Sequence, residues 1–117
     1  MPLVTVSAIV SGGTPVEVIL KGVAESLAGS LGRPVADVWV RLAPLGAATS
    51  GSSVETVEAQ HPTFELTTAA LGLEREEAAL RAVATALADG FGVPLEDVWG
   101  RFVALEPGRL ISRGTIA

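Results

Sequence analysis

Two stretches of the chain carry a clear helical period. From Val16 the apolar residues Ile19, Leu20, Val23, Leu27 and Leu31 recur at steps of three and four, so they share one helix face with Val16. Leu80, Val83, Ala84, Leu87 and Phe91 do the same in a second stretch, from Glu74 to about Gly90. The first helix is expected to run to about Ser30. Its start reads Thr14-Pro15-Val16-Glu17, a capping box with Thr14 as cap and Pro15 in the first turn. Gly32 and Gly92 supply the stops, and Pro34 and Pro94 bar continuation.

Runs of a different kind flank these helices. Leu3 to Ile9 is rich in β-branched residues with partial alternation, which predicts a strand buried on at least one face. Val38 to Leu42, Thr63 to Ala70 and Val98 to Leu105 are expected to be strands as well. Pro44 to Ser53 is a loop of small residues, Glu106-Pro107-Gly108 is a turn, and Leu110 to Ile116 suits a short edge strand.

The second half repeats the first at one constant offset. Pro2 matches Pro62, Glu17 matches Glu77, Leu20 matches Leu80, and Val23 matches Val83. Gly32/Gly92, Pro34/Pro94, Asp37/Asp97, Trp39/Trp99 and Arg41/Arg101 continue the series. Glycine, proline and tryptophan at one spacing are not a by-product of an alanine-rich composition. The chain therefore reads as one domain over residues 1–117, with repeats at about 1–57 and 61–117. Each repeat is a β-α-β unit whose helix crossover makes its two strands parallel. The fold class expected is α+β: a two-layer four-stranded sheet with both helices on one face. The other face then needs a cover, and self-association is the simplest one.

Composition narrows the function. The 117 residues are 49% hydrophobic but only 4% aromatic, so alanine, valine and leucine build the core. A net charge of −5 without a basic cluster argues against nucleic acid or an anionic membrane as partner. Cysteine is absent, which excludes disulfides and thiolate metal sites, and a single histidine is too few for a usual zinc site. No metal or cofactor is expected. The chain has neither a targeting segment nor an apolar stretch long enough to span a bilayer, so a cytoplasmic location is the expectation.

The chemistry starts at Met1-Pro2. A small second residue favours removal of the initiator methionine, which would leave Pro2 with a free secondary amine. An α-amino group titrates at roughly 7.7–8, and burial or nearby cations lower that value toward the range of a useful base. Pro62 occupies the same place in the second repeat, but its nitrogen is an amide. Only one base per chain is expected.

A duplicated β-α-β unit that begins Met1-Pro2 resembles the tautomerase superfamily. The branch of macrophage migration inhibitory factor is the nearest in shape, with 4-oxalocrotonate tautomerase as the single-unit relative. The resemblance covers nearly the whole chain. It rests on Met1-Pro2, Gly32-Arg33-Pro34, Val40-Arg41-Leu42-Ala43-Pro44, Ser50-Gly51-Ser52-Ser53, Asp97-Val98-Trp99 and the tail Thr115-Ile116-Ala117. It implies a homotrimer with active sites between subunits. It also implies a cofactor-independent tautomerase or isomerase in which Pro2 moves a proton between carbon and oxygen of a small 2-oxo or enol carboxylate.

The resemblance assigns residues one by one. Pro2 is the base. Arg33 matches a basic residue that holds the substrate carboxylate, although a solvated charge at a helix end is the plain reading. Trp99 stands at the aromatic position supplied by a neighbouring subunit, and interface packing is its alternative. Arg101 points to the same side of its strand as Trp99 and is placed to stabilise enolate charge. Ser11-Gly12-Gly13 replaces an arginine of the single-unit tautomerases, and Arg75 fits its second-half position only with a shift. Asp37 matches an acid of the malonate semialdehyde decarboxylases, but its copy Asp97 in the same context favours a structural role. His61 reads as a surface or loop residue. Two alternatives stay open. One is a hydratase, decarboxylase or dehalogenase at the same site with protonated Pro2 as acid. The other is a trimeric binding module without activity.

Overall fold

A computed structural model describes residues 2–116. Its first strand, β1 (Leu3–Ala8), buries every second residue: Val4, Val6 and Ala8 are inaccessible to solvent. A helix α1 (Val16–Leu31) follows and leads through one 3-10 turn (Val35–Asp37) into β2 (Trp39–Pro44). Two short strands, β3 (Thr49–Ser50) and β4 (Ser53–Val54), form a hairpin. The order then recurs as β5 (Thr63–Ala69), α2 (Leu73–Phe91), a 3-10 turn (Leu95–Asp97) and β6 (Trp99–Leu105). A final hairpin of β7 (Ile111–Ser112) and β8 (Thr115–Ile116) closes the described chain.

The sheet order is β2-β1-β5-β6. β1 is parallel to β2 and β5 is parallel to β6, as helix crossovers require, while β1 and β5 meet antiparallel at the centre. Both helices pack on one face. Val23, Leu27, Val83 and Leu87 are fully buried there against Val4, Val6 and Leu66. The opposite face is open. Its central row reads Arg41, Thr5, Glu65 and Arg101 across the four strands.

Both helices end as expected, with Gly32 at φ 64 and Gly92 at φ 68, a left-handed conformation that glycine adopts without a Cβ penalty. The start of α1 differs from expectation. Pro15 is the cap residue and no side chain caps the helix. Thr14 instead accepts the backbone N–H of Ser11 at 3.0 Å, because the Ser11-Gly12-Gly13 turn folds back on it. The capping role falls to α2, where Glu76 accepts the N–H groups of Leu71 and Gly72 at 2.9 and 3.2 Å. The loop from Pro44 holds the β3–β4 hairpin, and the tail pairs with itself and not with the sheet edge. Among the described residues, no helix is long and apolar enough to cross a membrane.

Candidate active site

Pro2 stands directly before β1, an inner strand, and its ring is fully buried. Its carbonyl accepts the N–H of Trp39 at 3.0 Å, the bond that starts the β1–β2 ladder. Pro62 repeats this bond with Trp99 at 3.0 Å, so the two prolines occupy equivalent places. Met1 lies outside the described residues.

Arg33 and Asp37 sit between α1 and β2, at the sheet end where Pro2 begins β1. They line a cavity of about 180 Å³ together with Ser112 and Arg113 of the C-terminal hairpin. The N–H of Arg33 donates to the carbonyl of Ala28, and that of Asp37 to Pro34, so both backbones are fixed at the helix end. Asp97 makes the same backbone bond to Pro94, so the two turns are equivalent in the two repeats.

Trp99 and Arg101 are elsewhere within one chain. Both project from the open face of β6 and line a larger cavity of about 430 Å³ with Thr5, Ser7, Thr63 and Glu65. Register sets Arg101 in the row of Thr5 and Trp99 in the row of Ser7. With strands about 4.8 Å apart and a rise of about 3.3 Å per residue, Arg101 is roughly 14 Å and Trp99 roughly 19 Å from Pro2 between Cα atoms. Arg101 also has a partner. Its Nε and Nη2 donate to one oxygen of Glu65 at 2.9 and 2.7 Å. The structure thus gathers Arg33 at the Pro2 end and leaves Trp99 and Arg101 on the open face.

Other residues stand nearer to Pro2. Trp39 is paired with Leu3 in the β1–β2 register, and the Arg41 guanidinium lies 5.7 Å from the Trp39 ring centroid. His61 is not near Pro2: it lies half-buried in the loop before β5, at the opposite end of the sheet. Its N–H donates to Glu55 at 2.9 Å, and its Nδ1 lies 3.2 Å from the Asp97 carbonyl. The bond from the His61 backbone holds the Glu55 carboxyl below its ordinary range, assisted by Ser50 and the His61 charge and opposed by desolvation. Among the described residues no group of three metal-ligating side chains exists.

A wild-type fused 4-OT, described as an asymmetric trimer, superposes with a TM-score of 0.83 at 14% identity, over 97% of this chain and 94% of that one. The fold is that of the tautomerase superfamily. The macrophage migration inhibitory factor from Trichinella spiralis shares this tautomerase fold at a TM-score of 0.80 and 16% identity, over 98% and 99% of the two chains. A member of the cis-3-chloroacrylic acid dehalogenase family follows at 0.78 and 14%, over 97% and 82%. No protein-family model and no curated protein matches the sequence. The tautomerase fold is therefore visible here in backbone shape far more than in residue identity.

Proposed function

We propose that the protein is a cofactor-independent tautomerase or isomerase that uses the Pro2 amine as general base on a small 2-oxo or enol carboxylate. The observation that carries this reading is the position of Pro2, buried at the head of an inner strand, with the Arg33 cavity at the same sheet end. Once Met1 is removed, burial disfavours the charged amine and lowers its pKa, so more of it is free base at neutral pH. Arg33 holds the substrate carboxylate and sets C3, the carbon beyond the 2-oxo group, against the Pro2 nitrogen. The amine takes a proton from that carbon and returns it to the other end of the enol system.

The assembly belonging to this reading is a homotrimer. The neighbouring 4-OT structure is a trimer, and the open sheet face of this chain offers Trp39, Trp99 and two arginines with no layer over them. In the trimer, Trp99 and Arg101 reach the Pro2 site of the next subunit. There Trp99 walls the site, and Arg101, released from Glu65, stabilises the enolate oxygen.

Asp37 in the Arg33 cavity favours a second reading. An acid at that place suits decarboxylation or hydration with Pro2 protonated. A panel of enol and unsaturated monocarboxylates, assayed with Met-free protein and with Pro2→Ala, tests the first reading. Loss of most of the tautomerase activity in the variant is expected. Equal rates for both proteins refute it.

A further inference from the structure

The C-terminal hairpin turns through Arg113 and Gly114, both with positive φ, at 51 and 76. Arg113 is the one non-glycine residue with positive φ among the described residues. The matching hairpin of the first repeat places Gly51 there, at φ 60. A side chain in this left-handed region is strained, because its Cβ crowds the neighbouring carbonyl oxygen. Two-residue turns of this kind favour asparagine, aspartate or glycine. An arginine held in such a conformation points to a task for its guanidinium.

Its surroundings supply the task. Arg113 lines the same cavity of about 180 Å³ as Arg33, Asp37 and Ser112. Among the described residues, Arg81, Arg101 and Arg109 each have an acidic partner, Arg41 lies over Trp39 and Arg75 donates to the Leu31 carbonyl, whereas Arg33 and Arg113 take part in no ion pair. Two guanidiniums and one carboxylate leave the cavity with a net charge of +1. That balance suits a monoanion, and Asp37 opposes a dianion such as phosphate. Pockets that enclose whole ligands measure about 300–1,000 Å³, so this volume holds only the charged end of a molecule. The cavity also lies close to the proposed base. Asp37 is two residues from Trp39, whose N–H binds the Pro2 carbonyl.

We infer that Arg113 and Arg33 together form a two-guanidinium site for one substrate carboxylate, with Arg113 delivered by the C-terminal hairpin. The inference rests on the proposed role of Arg33 and extends it to a residue in the other half of the chain. The Ser112 hydroxyl is available to donate to the same carboxylate. The substrate chain then leaves the cavity toward Pro2.

The test is equilibrium binding by titration calorimetry, which needs no turnover. Butyrate, succinate and inorganic phosphate are the probes. The main variant is Arg113→Gly, which removes the charge and relieves the backbone, so the fold is retained. A charge-assisted hydrogen bond contributes about 1.5–3 kcal/mol, so butyrate affinity is expected to fall roughly 10- to 100-fold. Arg33→Ala should weaken it to a similar extent, and Arg113→Lys should restore part of the loss. Arg109→Ala, which removes the same charge from the base of the hairpin, serves as the control and should leave binding within about twofold. Unchanged butyrate binding in Arg113→Gly overturns the inference, as does an equal loss in Arg109→Ala. Phosphate binding tighter than butyrate overturns the carboxylate assignment, and a succinate preference above tenfold overturns the single-carboxylate reading. Pro2→Ala should abolish most turnover and keep butyrate binding. Arg113-dependent binding in a protein with no tautomerase activity would sink the proposed function and leave this site standing.

Discussion

Gly100→Ala is the sharpest structural test. Gly100 lies in β6 between Trp99 and Arg101, and the Phe64 ring of β5 covers it from the helix side. A Cβ built on Gly100 would come within 2.1 Å of two ring carbons of Phe64. Carbon atoms rest at about 3.5 Å or more, so the ring must retreat by about 1.5 Å. Phe64 is only 5% exposed and borders, with Gly100, a cavity of about 300 Å³, so the ring retreats partly into that space and partly against buried neighbours. Overpacking of this kind costs about 1–3 kcal/mol. At about 4 °C per kcal/mol for a chain of this size, Tm should drop by roughly 4–12 °C. Thermal unfolding followed by circular dichroism measures it. The same substitution made on a Phe64→Leu background should cost less than half as much, because the two residues are in contact. A Tm within about 1 °C of the parent, or an equal cost on both backgrounds, refutes the packing argument.

Other expectations follow from the same contacts. Glu65→Gln should change stability by less than about 1 kcal/mol, because the Arg101 pair is largely exposed; a denaturant titration showing a greater loss contradicts this. In the trimer reading, the same substitution frees Arg101 and should not lower kcat/KM. For Glu55, the carboxyl is more acidic in the folded chain than its ordinary value of 4.5. Its contribution is therefore complete above that value and is lost as pH falls through the lower, folded value. Tm measured against pH should show parent and Glu55→Gln converging on the acid side and separating toward neutrality. A gap that widens with acidification has the wrong sign.

Much of this fold was legible in the sequence because the signals agreed at several levels. The period of Ile19, Val23 and Leu27 fixed α1, and Gly32 with Pro34 fixed its end. The pairs Pro2/Pro62 and Trp39/Trp99 turned one reading into two, and both tryptophans donate to their proline carbonyls as equivalent residues should. Short-range polar geometry was less legible. Thr14-Pro15-Val16-Glu17 has the letters of a capping box, yet the preceding glycine-rich turn captures the Thr14 hydroxyl. The two hairpins were missed for a different reason. Ser50-Gly51-Ser52-Ser53 and Ser112-Arg113-Gly114-Thr115 are too short to carry an alternation. The Arg113-Gly114 step between Ile111-Ser112 and Thr115-Ile116 was the signal that could have revealed the second hairpin, and with it the partner of Arg33. Trp99 and Arg101 share one strand face as expected, but their distance from Pro2 depends on register across three strands, β1, β5 and β6, which a single chain's sequence does not display.

The central claim is that the Pro2 amine acts as a base, and the pH dependence of kcat/KM tests it most directly. The measurement uses Met-free protein, verified by mass, with an enol monocarboxylate as substrate. The account predicts a rate that rises with pH through one ionisation and then levels, with that limb altered in Pro2→Ala. A rate that falls as pH rises through the same ionisation would contradict it and assign Pro2 the role of an acid.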